Sequence, residues 1–268
     1  MKQYRLTILF VWVMNYVYAQ DSTSPAAMHL MEVNLKTYPL LWQQTAAEYR
    51  ALCYQAFNIA ALRLNEIPKN KLKKQKLAII TDLDETILDN SYNEAQLIKE
   101  GKEHSNQAWK DWTGRSVATA VPGAIEFLQM AKQKGITIFY ISNRDTGDVA
   151  STLINLKKLQ LPDADTSHML FLSNTSSKEI RRQIVMSRYN VVMLLGDNLN
   201  DFMQAFEGKK ISDRFAETDK VKNEWGKKFI VLPNATYGEW ENAVYDYDRK
   251  LNATEKEAKR KSKLTGYK

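Results

Sequence analysis

Lys76 to Asp89 reads KLAIITDLDETILD: a short apolar run, two aspartates one residue apart, Glu-Thr, and a second apolar run. Leu77, Ala78, Ile79 and Ile80 show no polar alternation, which is the pattern of a strand buried on both faces at the centre of a parallel sheet. Open sheets of that kind place their ligands at the carboxyl ends of the strands, so Asp82 and Asp84 stand where a site is expected. Two carboxylates at i and i+2 repel unless a cation or a proton lies between them. If the chain leaves strand geometry after Asp82, both can face one phosphate, one as nucleophile and the other as proton donor. A hard divalent ion, held by one or two carboxylates and the phosphate, would offset the charge. A lone D-x-D after a strand is also a common solvated turn, so the rest of the chain has to decide.

The chain has 268 residues, 44% of them hydrophobic and 26% charged, enough for one sizeable core with a smaller attached domain. Lys2 and Arg5, the apolar run Leu6 to Val17 and the small residues of Val17-Tyr18-Ala19 predict a signal peptide over residues 1–20. The run is interrupted by Asn15 and too short to span a bilayer, so export is expected. Residues 21–32 read as a polar linker. Cys53 is the sole cysteine, which excludes an intrachain disulfide and a cysteine-based zinc site. It falls in a helical pattern and is expected in the core. The net charge of +7 is concentrated at the end: residues 249–268 hold eight Lys or Arg and two acids. With the leader removed, the body is close to neutral, which argues against a nucleic-acid polymer as partner. The basic tail reads as a solvated helix end.

Along the chain, apolar and aromatic residues recur at three and four from Val33 to Leu64, predicting one or two helices within 33–70 as part of a cover. The core is expected over 71–248, with an insertion over about 89–119 that has no clean strand and forms a helical cover over the strand ends. Later strands are predicted at Ile136–Ile141, Met169–Leu172, Val191–Leu195 and Phe229–Leu232. Helices are expected between them, one opening at Pro122-Gly123, one near Thr146 and one at Ser176. Alternation of this kind implies an α/β fold with a doubly wound parallel sheet.

Each later strand ends in groups suited to phosphoryl chemistry. Ser142 follows the second strand and offers a hydroxyl and an N–H. Lys178 sits at a helix start, where the ammonium and the free N–H groups both favour an anion. Asp197 and Asp201 follow the fourth strand and add the charge a divalent cation requires. In order, D-L-D-E-T, S-N-R, S-S-K and G-D-N-L-N-D resemble the four motifs of the haloacid dehalogenase (HAD) superfamily, and within it the class C acid phosphatases, bacterial secreted or outer-membrane 5′-nucleotidases. The resemblance extends from the N-terminal helices to Tyr237-Gly-Glu-Trp-Glu241. It departs in having no cysteine at the end of the leader, which leaves membrane association open.

The resemblance implies a HAD-like sheet and the following roles. Asp82 would attack phosphorus and form an aspartyl-phosphate. Asp84 would protonate the leaving oxygen and later deprotonate water. Mg2+ would be held by Asp82, the Asp84 main-chain carbonyl, Asp197 and Asp201, the last directly or through water. Ser142, Asn143 and Lys178 would bear the charge on the transferring oxygens. Trp109 and Tyr237 would sandwich a nucleobase or nicotinamide ring, while Trp112 and Trp240 are equally readable as cover core. The implied protein is an exported, periplasmic or outer-membrane-associated, Mg2+-dependent acid phosphatase or 5′-nucleotidase acting on small phosphomonoesters; the oligomeric state stays open, a homodimer being compatible with the resemblance. The competing readings are a non-catalytic phosphate-binding or storage protein and a phosphotransferase. His29, His104 and His168 lie outside every motif and read as structural or surface residues. Arg144 and Asp145 either form a local ion pair, the favoured reading, or line the pocket. Asn234-Ala-Thr matches a glycosylation acceptor without requiring one.

Overall fold

Every residue of β1 (Leu77–Thr81) is buried, as its unbroken apolar run requires. In the computed structural model, which describes residues 33–68, 70, 75–172 and 174–267, this strand is the centre of a five-stranded parallel sheet. The signal peptide, the linker and His29 lie outside the described residues. The remaining strands in chain order are β2 (Leu88–Asp89), β3 (Thr119–Ala120), β4 (Thr137–Asp145), β5 (Met169–Leu172), β6 (Asn190–Gly196) and β7 (Phe229–Val231). Across the sheet the order is β5, β4, β1, β6, β7. The chain therefore builds outward from β1 first on one side and then on the other, and the reversal beside β1 opens the crevice that such sheets use for ligands.

The helices are α1 (Thr37–Thr45), α2 (Ala47–Asn65), α3 (Ser91–Lys99), α4 (Asn106–Arg115), α5 (Ala124–Gln133), α6 (Val149–Lys158), α7 (Glu179–Met186), α8 (Ile211–Lys220), α9 (Glu239–Val244) and α10 (Ala253–Lys263). Period-two alternation in β1 sends Leu77 and Ile79 into one core and Ala78 and Ile80 into the other. The first core takes Cys53, Phe57 and Leu64 of α2, Phe127 and Leu128 of α5 and Leu156 of α6; the second takes Val185 of α7 with Phe202 and Phe229. Both faces are covered, which gives the doubly wound α/β arrangement expected from the sequence. The helices within 33–70 divide: α2 packs on α5 and β7 of the core, while α1 packs on α3 of the insertion.

The insertion carries α3 and α4, and its two ends pair as a short antiparallel ribbon, Leu88 with Ala120 and Asp89 with Thr119. Two residues per strand are too few to show a period in the sequence. The neck is pinned to α6 by Asn155, whose amide bonds both the N–H (3.0 Å) and the carbonyl (2.9 Å) of Ala118. In the tail, α10 begins at a capping box on Asn252 and has no buried residue, a solvated helix. No helix among the described residues is long and apolar enough to cross a membrane.

Candidate active site

The chain keeps to the sheet as far as Asp82, whose N–H donates to the Leu195 carbonyl at 3.0 Å. It then turns sharply. The Leu83 carbonyl accepts from Ile87 (2.9 Å) and Leu88 (2.8 Å), and Glu85 takes a left-handed backbone with φ 57°. This turn breaks the strand's alternation and gives Asp82 and Asp84 separate surroundings in one crevice.

Asp82 faces acids. Its carboxylate oxygens and those of Asp197 and Asp201 include a set lying within 4.8 Å of one another. Asp82 and Asp201 are buried and Asp197 partly so. The fit is tight: a methyl group on Gly196 would lie 2.5 Å from Asp201 Cβ and Oδ2, so the end of β6 needs glycine to admit that side chain. Asp201 Oδ2 accepts the Asn198 N–H (3.1 Å), closing a small capping box, and Arg182 Nη1 donates to the carbonyls of Asn200 (2.8 Å) and Asp201 (3.0 Å). Asn234 Nδ2 donates to Asp197 (2.8 Å). Thr86 Oγ1 lies 3.3 Å from both Asp82 Oδ2 and Asp197 Oδ1.

Among the described residues, the ammonium in this cluster is that of Lys178, which is buried and donates to Asp82 Oδ1 and, at 2.6 Å, to Asp201 Oδ1. Burial would lower its pKa, yet Asp201 and Asp82 hold it above the usual lysine range. One cation does not neutralise three carboxylates. Burial, opposed by Lys178 and reinforced by Asp201 and Asp84, pushes the Asp82 carboxyl up to about 7. Burial together with Asp201 and Asp82 raises Asp197 well above the carboxylate range. Three converging oxygen donors with charge to spare match what a hard divalent cation takes from protein, so the residues present fit a magnesium site.

Asp84 stands outside that group. Arg144 clamps its carboxylate through Nη2 (2.7 Å to Oδ1) and Nε (3.2 Å to Oδ2 and 3.0 Å to Oδ1), with Asn90 Nδ2 at 2.9 Å and the Ser142 hydroxyl at 3.3 Å. Strand β4 explains the arrangement. It continues past Ile141 to Asp145, and alternation along Ser142-Asn143-Arg144-Asp145 makes the first and third buried and the second and fourth exposed. The favoured local pair of Arg144 with Asp145 is thus corrected: the two point to opposite sides, Asp145 caps Gly147 N–H (2.7 Å), and Arg144 binds Asp84. A guanidinium meets a carboxylate in parallel bonds, which fixes the plane of Asp84 as well as its place.

A pocket of about 790 Å³ joins these groups. Asp82, Asp84, Asn143, Lys178, Asp197 and Asp201 form its floor, and Trp109 and Tyr237 are on its walls. Ser142, wholly buried, lies behind the floor with its hydroxyl given to Asp84, and Arg181 binds both the Ser142 carbonyl and Asn143 Oδ1 at 2.6 Å. The Arg144 guanidinium sits 5.5 Å from the Trp109 ring centre, and Lys36 Nζ 5.7 Å from that of Tyr237. Trp112 is partly buried and donates to Asn90 Oδ1 (2.8 Å), whereas Trp240 is 45% exposed. His104, read from sequence as structural or surface, also lines the pocket and pairs with Glu94 at 3.8 Å. His168 pairs with Asp165. Sequence reasoning missed Asn90, Asn234 and the true partner of Arg144; the S-N-R run held the last signal, since a third strand-end residue shares the face of the first.

Residues 16–240 match the family model described as HAD superfamily, subfamily IIIB (acid phosphatase). Among solved structures, the chain is similar to the class C acid phosphatase from Bacillus anthracis, with 39% identity and a TM-score of 0.83 over 90% of this chain and 100% of that one. The same enzyme with tungstate bound aligns at 39% identity and a TM-score of 0.82 over 88% and 99%.

Proposed function

Because the chain belongs to the HAD superfamily, subfamily IIIB, and is an acid phosphatase acting on phosphomonoesters, we propose that it works through an aspartyl-phosphate on Asp82, requires Mg2+, and prefers nucleoside 5′-monophosphates and related ring-bearing esters such as nicotinamide mononucleotide. The observation that carries this reading is the division of labour at the end of β1: Asp82 among acids and an ammonium, Asp84 in a clamp of donors, both opening on one pocket. In the first step an Asp82 oxygen bonds to phosphorus as the ester oxygen leaves with a proton from Asp84. In the second, a water oxygen bonds to phosphorus, the bond to Asp82 breaks, and Asp84 takes the proton from water.

Lys178 and Asn143 face the pocket beside Asp82 and would donate to the transferring oxygens, while Ser142, buried outside the pocket lining, would act through the hydroxyl it gives to Asp84. Asp82, Asp197 and Asp201, with the Asp84 carbonyl, would hold Mg2+, which supplies neutralising charge to the phosphoryl group. The binding of tungstate, a tetrahedral oxyanion, to the B. anthracis enzyme supports an oxyanion pocket here. Trp109 and Tyr237 on the walls support a flat leaving group, since stacking on aromatic side chains is worth roughly 1–3 kcal/mol per base. The leader supports export to the periplasm or outer membrane.

A panel of AMP, nicotinamide mononucleotide, p-nitrophenyl phosphate and glycerol 3-phosphate, each with and without EDTA, tests the reading. Turnover should be highest in kcat/KM on the ring-bearing esters, vanish with EDTA and return with Mg2+. Full activity after exhaustive chelation would refute the metal requirement, and equal kcat/KM on glycerol 3-phosphate would refute the ring preference.

A further inference from the structure

Glu85 follows Asp84 in the turn after β1 and is 2% exposed. Its backbone is left-handed, a conformation for which Gly, Asn or Asp is more usual, and a turn by itself calls for no buried carboxylate. Three donors converge on this one. Asn90 gives its N–H to Oε1 at 2.9 Å and its Nδ2 to Oε2 at 3.3 Å, and the Tyr237 hydroxyl also donates to Oε2. Tyr237 is 152 residues away in the chain and forms a wall of the pocket. Asn90, itself 1% exposed, bonds Asp84 with the same amide nitrogen and is held by the Trp112 indole of the cover. The turn that aims Asp84 at the reacting centre therefore also ties the wall to it.

We propose that Glu85 is a positioning residue that fixes the Tyr237 ring through its hydroxyl and so sets the pocket's preference for phosphomonoesters with a flat ring in the leaving group. The inference rests on the active-site reading above. Without the bond the ring tilts on its own side-chain torsions, and a ligand must order it on binding, a cost that falls on KM for esters that stack and not on esters without a ring.

Tyr237→Phe keeps the ring and removes only the hydroxyl. Glu85→Asn tolerates the left-handed backbone and is too short to reach Tyr237. At saturating Mg2+, each variant should lower the ratio of kcat/KM on AMP to that on glycerol 3-phosphate by about fivefold, chiefly through KM, the scale of one hydrogen bond. The double variant should fall no further than either single one. An unchanged ratio in Tyr237→Phe, or single effects that multiply in the double variant, would overturn the inference. Equal losses on both esters with a lowered Tm would assign Glu85 a purely structural role and overturn it as well. Wild-type protein that hydrolyses neither ester would remove the active-site reading and this inference together.

Discussion

Asp82 shares its surroundings with Asp197 and Asp201 against a single ammonium, whereas Asp84, two residues on, is enclosed by Arg144, Asn90 and Ser142. One motif thus supplies two carboxylates of the same kind whose neighbours give them different work. The first is electron-rich, crowded and short of positive charge, which suits attack on phosphorus beside a cation. The second has its orientation fixed by a bidentate guanidinium, which holds it at a defined point of the pocket. Two residues of one type, two positions apart, thus meet different surroundings.

The largest effect should come from erasing the first environment. Asp82→Asn keeps the shape and removes the proposed nucleophile, and kcat on p-nitrophenyl phosphate should fall by about 10⁴-fold or more. Asp84→Asn should discriminate between leaving groups. An alkyl phosphate needs the proton and should lose about 10³-fold in kcat, within the usual range for general acid catalysis. p-Nitrophenolate departs without a proton, so its ester should be hit less hard. Equal losses on the two esters would mean that Asp84 does not protonate the leaving oxygen.

Removing the clamp should cost stability as well as rate. Arg144 is buried, and Arg144→Ala leaves the Asp84 carboxylate without its charged partner, a loss of about 3 kcal/mol in urea unfolding. Arg144→Lys should recover part of that stability but less of kcat, because an ammonium cannot hold the carboxylate plane. A lysine variant with full kcat would show that only charge matters at this position.

The smallest expected effect is a pH dependence of the metal-free protein. Burial raises the Asp82 carboxyl to about 7 in the fold, against roughly 3.9 in an unfolded chain. Between those values the unfolded chain releases a proton that the folded one keeps. The group's contribution to stability is therefore complete below about pH 4 and is lost as pH rises through about 7. In EDTA, the Tm of Asp82→Asn should gain on wild type as pH is raised through that window. A constant difference would show that Asp82 is ionised throughout.

The sheet was legible in the sequence because buried parallel strands read as unbroken apolar runs and because each ends in a polar cluster. Leu77–Ile80 and Met169–Leu172 needed no other signal. The acid cluster was legible for the same reason: Asp82, Asp197 and Asp201 all follow predicted strands. What could not be read depends on partners distant in sequence or on torsions. Arg144 meets Asp84 sixty residues away because β4 runs on to Asp145, and the pairing with β5 shifts register between Ile141 and Asp145. Glu85 and Tyr237 meet across 152 residues of chain, Glu85 from a left-handed backbone. Helix α8, with a single buried residue, Arg214, offered no apolar stripe to detect.

During turnover the phosphoryl group should pass through the Asp82 carboxylate. Rapid acid quench of the Mg2+-loaded enzyme during turnover, followed by mass spectrometry of the peptide containing residues 76–89, tests it directly. One added phosphoryl group is expected on Asp82, absent in Asp82→Asn and more abundant in Asp84→Asn, where the water step is slowed. Turnover with no phosphorylated form of that peptide at any quench time, in wild type or Asp84→Asn, would contradict it.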